Sequence, residues 1–282
     1  MIQFTTIREA TDFILQARAK GQSIGFVPTM GALHEGHLGM VRQGKKENDL
    51  VVVSIFVNPV QFNNRNDLDR YPRTPEKDIR KLVCDNCDIL FLPPEDEMYP
   101  GGEVPEVPVD LGDLGDRLEG AFRPGHFKGV AIVVNKLFDI IRPDRAYFGK
   151  KDYQQLRVIE FMTDALGLPV KVIPAETVRE ADGLAMSSRN VRLNSEQRAE
   201  APKIYETLQW VKAEAGTVPP GELARKAFGR LAEIPGARPE YLEIVRTKDL
   251  APLGSWNEGN AVVLTAVFMG DVRLIDNLEL FS

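Results

Sequence analysis

Two histidines three positions apart are the first side chains in this sequence that could do chemistry. His34 and His37 lie in residues 30–37 (MGALHEGH), between an apolar run that favours a strand and a helical pattern. At such a junction the backbone N–H groups and the helix dipole attract an anion, and Gly36 allows close approach. Imidazoles three apart share the first helical turn and can donate hydrogen bonds to a phosphate during transfer. The segment predicts a phosphate site; the alternative is two histidines that cap a helix.

Two further clusters carry charges that suit phosphate. Residues 148–155 (FGKKDYQQ) follow another strand-like run, and Lys150 or Lys151 could neutralise phosphate as a point charge. Residues 186–190 (MSSRN) place two hydroxyls and a guanidinium in succession, a set that suits a triphosphate. A solvated charged turn is an equal alternative for the first cluster, and serine–arginine loops are common.

Two neutral amides lie at, and just beyond, the end of a strongly β-branched run. Residues 49–58 (DLVVVSIFVN) favour a strand buried on both faces of a parallel sheet. Ligands of open α/β sheets lie beyond the carboxyl ends of such strands. Asn58 and Gln61 are therefore predicted to bind a hydroxyl or carboxylate of a small acid, with a polar loop as the alternative.

Asp78 is the candidate metal ligand. It lies in the first turns of a helix predicted to begin at Pro75, and an Mg²⁺ ion that bridges nucleotide phosphates needs one or two carboxylates. A solvated acid that stabilises the helix dipole is at least as good an interpretation.

The elements that must position these residues alternate along the first half of the chain. Strands are predicted at 23–28, 49–58, 87–92, 145–148 and 170–174, and helices at 38–48, 75–82, 127–141 and 154–166. This order predicts an α/β fold, a Rossmann-like doubly wound parallel sheet. Residues 93–116, rich in Pro, Gly and acids, are predicted to form a long surface excursion.

The pattern changes near residue 178. One helix is predicted at 195–215, a break at 219–221 (PPG) and a second helix at 222–233. Strands follow at 239–246, 261–269 and 272–277, the last two joined by a hairpin turn at Gly270. We therefore predict two domains, residues 1–177 and a smaller C-terminal α+β domain at 178–282.

Bulk composition excludes several classes of function. The 282 residues include 35 basic and 41 acidic ones, a net charge of −6 with no basic stripe, which argues against a nucleic-acid partner. No apolar run suits a membrane span, and the N-terminus lacks the pattern of a signal peptide. The two cysteines, Cys84 and Cys87, have no second pair for zinc; we expect two small packing residues, with a redox role as the weaker alternative. A cytoplasmic location is expected.

Six stretches together resemble the pantoate–β-alanine ligase family. They are PTMGALHEGH, SIFVNPVQF, DLDRYPRT, FRPGHFKGV, RPDRAYFGKKDYQQL and GLAMSSRN, in this order over roughly residues 26–190. The resemblance implies a nucleotide-binding catalytic domain followed by a lid domain. It implies that (R)-pantoate attacks ATP to give pantoyl adenylate and pyrophosphate, and that β-alanine then displaces AMP to give pantothenate. It also implies a requirement for Mg²⁺ and a homodimer.

The same resemblance implies roles for individual residues. His37 matches the proton donor, with His34 and Lys150 also catalytic, while Gln61 matches the residue shared by pantoate and β-alanine and Gln155 a pantoate ligand. The positions that match ATP contacts are Met30, Gly31, Ala32, Leu33, His34, Glu35, Gly36, His37, Gly149, Lys150, Lys151, Asp152, Val178, Met186, Ser187, Ser188 and Arg189.

Two other functions remain open at this point. A simple nucleotidyltransferase acting on a phosphate-containing acceptor would share the histidine segment and release pyrophosphate but no AMP. The amides Asn58 and Gln61, in place of a basic pocket, argue against it. A nucleotide-sensing module would bind ATP without turnover.

Overall fold

Six parallel strands form one sheet in this computed structural model, which describes residues 1–281. In chain order they are β1 (Ile2–Phe4), β2 (Ile24–Thr29), β3 (Leu50–Ile55), β4 (Ile89–Phe91), β5 (Arg145–Gly149) and β6 (Lys171–Ala175). Across the sheet the order is β1-β4-β3-β2-β5-β6. Val51, Val52 and Val53 are all buried, so β3 is covered on both faces. The predicted doubly wound parallel sheet is confirmed.

Helices connect these strands and continue into the C-terminal part. They are α1 (Ile7–Ala19), α2 (Glu35–Glu47), α3 (Arg65–Asp69), α4 (Pro75–Cys84), α5 (Glu95–Met98), α6 (Gly112–Asp116), α7 (Glu119–Phe122), α8 (His126–Ile141), α9 (Tyr153–Ala165), α10 (Ser195–Glu200), α11 (Lys203–Glu214) and α12 (Pro220–Ala232). Short 3₁₀ turns lie at Pro59–Gln61, Pro100–Gly102, Lys150–Asp152, Ser188–Arg192 and Trp256–Glu258. Across residues 1–281, no helix is both long enough and apolar enough to cross a membrane.

The C-terminal sheet has three antiparallel strands. They are β7 (Ala237–Arg246), β8 (Ala261–Met269) and β9 (Val272–Glu279), with β8 in the centre. Gly270 adopts a φ of +58° between the paired Met269 and Val272, a conformation that glycine reaches without strain. The predicted α+β character and the hairpin turn are confirmed.

The structure contradicts three predictions of detail. The helix predicted over 195–215 is two helices, α10 and α11, because Pro202 cannot donate a backbone hydrogen bond inside a continuous helix. The stretch 93–116 is not wholly a surface excursion, since Met98 and Tyr99 are buried in the core. Cys87 packs inside, as expected, but Cys84 is exposed.

The chain divides into two compact units that do not follow one cut in the sequence. The first unit comprises Met1–Asp116, Arg123–Lys150 and Gln155–Glu176. Two short segments, Arg117–Phe122 and Lys151–Gln154, belong with the second unit, which otherwise runs from Thr177 onward. The division at residue 177 stays a prediction.

A buried ionic network ties the first of these segments into the second unit. Arg273 donates to the Glu119 carboxylate at 2.6 and 2.8 Å and to Glu240 at 2.5 Å. The Tyr241 hydroxyl donates to Glu119 at 2.8 Å, and the Glu119 N–H donates to Gln154 at 3.0 Å. Burial lowers the pKa of the Arg273 guanidinium, but the two carboxylates outweigh it and raise this pKa overall. Arg273 therefore stays charged.

Candidate active site

The predicted site residues of the first unit lie at the carboxyl ends of three neighbouring strands. β2 is hydrogen-bonded to β3 on one side and to β5 on the other, and the strand order reverses direction at β2 and β5. Such a switch point forms the crevice where ligands bind in doubly wound sheets. Met30 follows β2, Lys150 follows β5, and Asn58 and Gln61 follow β3. The fold therefore gathers the predicted phosphate and acid residues of this unit at one edge.

The loop after β2 is held in an unusual backbone conformation. Gly31 and Ala32 have φ values of +80° and +47°. The positive φ is strained for an alanine and persists only where surrounding contacts fix it. Asp78 supplies those contacts: its two carboxylate oxygens accept the N–H groups of Ala32 and Leu33, both at 2.8 Å.

This geometry changes the interpretation of Asp78. The side chain is only 1% exposed, and the Thr74 hydroxyl also donates to it at 3.2 Å. Mg²⁺ needs oxygen ligands in a nearly octahedral set with several waters, so a buried carboxylate already bound to three donors does not fit it. Among residues 1–281, no group of three His, Cys, Asp or Glu side chains is placed to hold a metal. Asp78 fits as the support of the loop after β2, the predicted phosphate site, which is called the phosphate loop below.

Asp78→Asn is expected to raise the KM for ATP about fivefold and to lower the free energy of unfolding by about 1–3 kcal/mol, because an amide offers one oxygen to two backbone donors. Steady-state kinetics and urea denaturation measure the two effects. Asp69→Asn, which alters an exposed carboxylate 3.9 Å from Arg65, is the matched control. A higher Mg²⁺ requirement with unchanged stability would instead favour the predicted metal ligand.

His34 and His37 cap helix α2, and the cap determines which ring nitrogen of each can donate a hydrogen bond. Nδ1 of His34 accepts the Gly36 N–H at 3.2 Å, and Nδ1 of His37 accepts the His34 N–H at 3.3 Å. The two ring centroids are 4.1 Å apart. A nitrogen that accepts a hydrogen bond carries no proton, so Nε2 is the protonated nitrogen of each neutral ring. Capping and phosphate donation are therefore compatible, because capping prepares two Nε2–H donors at one helix N-terminus.

Lys150 brings a positive charge to the end of the adjacent strand. Its ammonium lies 2.7 Å from the Glu176 carboxylate, and the Glu176 side chain is 82% exposed. An ion pair with so exposed a partner contributes little to stability, because water solvates the Glu176 carboxylate well without the pair. A phosphate could therefore compete for this ammonium at small cost.

The predicted acid-binding amides are buried beside the phosphate loop. Asn58 and Gln61 are 1% and 6% exposed. Asn58 Nδ2 donates to Gln61 Oε1 at 3.1 Å, and Gln61 Nε2 donates to the Met30 sulfur at 3.3 Å. Gln61 therefore connects the two predicted acid-binding amides, called the acid region below, to the loop that follows β2.

Helix α8 packs against the turn that carries Gln61 through two residues for which the sequence predicted no individual role. His126 Nδ1 is 2.8 Å from the Gln61 carbonyl, and a Cβ on Gly129 would lie 2.6 Å from the Val60 carbonyl. Only glycine permits this approach of helix and turn. His126 and Gly129, both within FRPGHFKGV, were the available signal. Gln155 lies on the first turn of α9, half-buried.

The remaining predicted ATP contacts lie in the second unit. Lys151 and Asp152 end the turn before α9, and the Val178 carbonyl accepts the Met186 N–H at 3.0 Å. Ser187 caps the short turn Ser188–Arg192, its hydroxyl accepting the Arg189 N–H at 3.2 Å. Their contacts with ATP stay predictions.

A buried ion pair supports that loop. Arg179 donates to both oxygens of Asp276, at 2.7 and 2.9 Å, and to the Gly183 carbonyl at 3.1 Å. Its guanidinium carbon lies 3.5 Å from the ring centroid of Tyr205. These contacts fix the hairpin that leads into the Met186 segment.

Comparisons with known proteins agree over nearly the whole chain. The family model described as pantoate-beta-alanine ligase matches residues 2–279. A pantothenate synthetase of Pseudomonas putida is 48% identical over 276 residues, covering 98% of this chain and 96% of the relative. The crystal structure of pantothenate synthetase from Thermus thermophilus superposes with a TM-score of 0.93 at 44% identity and 100% coverage of both chains.

A second solved structure contains bound ligands. Pantoate-beta-alanine ligase from Francisella tularensis, complexed with beta-gamma ATP and beta-alanine, superposes with a TM-score of 0.82 at 38% identity, covering 99% of this chain and 97% of that one. With a family model over almost every residue and relatives well above 40% identity, the chain belongs to the pantoate–β-alanine ligase family.

Proposed function

We propose that this chain condenses (R)-pantoate with β-alanine at the expense of ATP, through a pantoyl-adenylate intermediate. The observation that carries the proposal is Gln61, an amide suited to a small acid that contacts Met30 of the phosphate loop. The ligand-bound Francisella tularensis relative, complexed with an ATP compound and β-alanine, supports the substrate class.

The reaction consists of two nucleophilic substitution steps. A carboxylate oxygen of pantoate bonds to the α-phosphorus of ATP while the bond to the β-phosphate oxygen breaks, and pyrophosphate leaves. The β-alanine amine then attacks the acyl carbon, the bond to the AMP oxygen breaks, and the amine loses a proton. Both steps depend on orientation and charge stabilisation, so no protein nucleophile is needed.

The residues of the first unit divide this work. The Nε2–H groups of His34 and His37 and the α2 N-terminus stabilise charge on the phosphates, and Lys150 adds a point charge. Gln61 holds the acid, with Gln155 as a further pantoate contact. Mg²⁺, when bound, would neutralise phosphate charge. A homodimer and the lid role of residues 178–282 are part of the proposal through the family resemblance, and a cytoplasmic location is part of it through the sequence pattern and composition.

One assay distinguishes this function from the two alternatives. The protein is mixed with ATP, Mg²⁺, pantoate and β-alanine, and AMP and pyrophosphate are followed. We expect both products, with AMP release dependent on β-alanine. Pyrophosphate without AMP would favour a simple nucleotidyltransferase, and binding of ATP without turnover a sensing module.

Gln61→Ala is expected to raise the KM for pantoate and for β-alanine by about 10-fold or more, because it removes the amide assigned to both substrates. The KM for ATP should change little. Initial rates with each substrate varied in turn provide the measurement. Gln43→Ala, which removes a surface amide that donates to Glu47 at 3.0 Å, is the control. If ATP binding alone weakened, the assignment of Gln61 to the acid pocket would be wrong.

A further inference from the structure

Tyr99 is a buried tyrosine whose hydroxyl reaches the acid region. It follows α5, within the stretch predicted to lie on the surface, and is only 2% exposed. Its hydroxyl donates to Asn58 Oδ1 at 2.8 Å, and its ring centroid lies 5.9 Å from that of Phe56. Burial raises the pKa of Tyr99 above its ordinary value, so the hydroxyl keeps its proton and remains a donor.

The partners of Asn58 are compatible with only one orientation of its amide. Its oxygen receives the Tyr99 hydroxyl and the Val60 N–H at 3.3 Å. Its nitrogen faces two acceptors, the Gly129 carbonyl and Gln61 Oε1, both at 3.1 Å. A flipped amide would place an oxygen against the Gly129 carbonyl and a nitrogen against the Val60 N–H, so it would lose both backbone bonds. The Tyr99 hydroxyl, which can donate or accept, adds a third bond to the orientation that these two groups select.

The orientation of Asn58 in turn sets that of Gln61. Because Asn58 presents an N–H₂ group, Gln61 points its oxygen inward and its own N–H₂ group toward the Met30 sulfur. A thioether is a weak acceptor, so a carboxylate or hydroxyl readily replaces it as the partner of that N–H₂ group. The opposite orientation would present an oxygen to the acid and repel it.

We propose that Tyr99 is a positioning residue that, through Asn58, holds the Gln61 amide with its N–H₂ group toward the acid substrate. The proposal rests on the proposed function and assigns to Asn58 the orientation of Gln61 in place of direct substrate contact. It identifies a hydrogen-bond series, Tyr99 to Asn58 to Gln61, as the basis of selection for a carboxylate.

Tyr99→Phe tests the hydroxyl without removing the ring that packs against Phe56. We expect the KM for pantoate and β-alanine to rise about fivefold, while the KM for ATP and kcat change by less than about twofold. In a Gln61→Ala background the same substitution should leave these KM values unchanged within about twofold, because Tyr99 acts through Gln61. Tyr147→Phe is the matched control: this tyrosine is also buried, and its hydroxyl hydrogen-bonds Asn48 and Glu47, away from Asn58 and Gln61.

A second measurement does not depend on activity. The side-chain N–H₂ resonance of Gln61 is identified by its loss in Gln61→Ala, and its hydrogen exchange is compared with and without the Tyr99 hydroxyl. We expect exchange about 10-fold faster in Tyr99→Phe. Unchanged exchange, additive KM effects in the double variant, or an equal rise in the KM for ATP would each overturn the inference. A failure of the unmodified protein to form AMP would refute the proposed function, and the exchange measurement would still decide this one.

Discussion

Replacing His37 with alanine is expected to lower kcat by about 10²-fold or more, the effect of losing one donor that stabilises charge in the transition state. The Nδ1 contact with the His34 N–H leaves Nε2 as the donating atom of the His37 ring. Substrate binding should change far less than kcat, because the donor is most valuable where charge develops. Single-turnover formation of pyrophosphate from ATP and pantoate provides the measurement.

Two further variants separate capping from catalysis at this position. His37→Asn places an acceptor near the position of Nδ1 and so keeps the cap, but it lacks a donor at the reach of Nε2. His37→Gln places an amide N–H near Nε2. If His37 acts as proposed, His37→Asn is nearly as slow as alanine and His37→Gln retains more activity. Equal, nearly normal rates for all three variants would remove His37 from the mechanism.

Arg273→Met is expected to lower the free energy of unfolding of the second unit by about 3–5 kcal/mol, because it leaves a buried carboxylate without its cation. The Glu119 side chain in that pair is 7% exposed and that of Arg273 is 19% exposed. Burial and the Glu119 charge raise the pKa of Tyr241, so its hydroxyl keeps its proton and still donates to Glu119, but it supplies no positive charge. Urea denaturation followed by the fluorescence of the second unit provides the measurement.

Two comparison variants separate the effect of the unpaired buried charge on stability from the effect of losing an ion pair in general. Arg273→Met combined with Glu119→Gln removes both charges and should recover part of the loss, since a neutral amide costs less to bury. Arg246→Met breaks an exposed pair with Asp249 at 2.8 Å and should change stability by less than about 1 kcal/mol. Equal effects of Arg273→Met and Arg246→Met would show that burial is not the cause.

The sequence predicted those elements whose hydrophobic pattern or residue spacing lies within the element itself. β3 was identifiable because a β-branched run buried on both faces has few other structural uses. The histidine segment was identifiable because its spacing and glycine lie where a strand gives way to a helix. The three-residue strand β1 and the following α1 were missed, although Ala10, Ile14 and Ala17 form the buried face of α1.

The rest depended on partners far away in the sequence. Asp78 was a candidate metal ligand by residue type, yet its contacts lie 46 and 45 residues earlier, at Ala32 and Leu33. Asn58 was a candidate substrate contact, yet Tyr99, 41 residues later, and Gly129, 71 residues later, use its amide inside the protein. No local pattern distinguishes a polar side chain that meets a ligand from one that orients its neighbour.

The two inserted segments of the second unit limit how this protein can be dissected. A fragment that begins at residue 178 would carry Arg273 and Tyr241 but not Glu119, their shared acceptor. It would also lack the Lys151 carbonyl that accepts from Asn277 at 2.8 Å. Such a fragment is not expected to fold autonomously, and proteolysis near residue 177 should give two pieces that remain associated. Circular permutation at an exposed turn of the second unit, which keeps every segment, is the better route to altered connectivity.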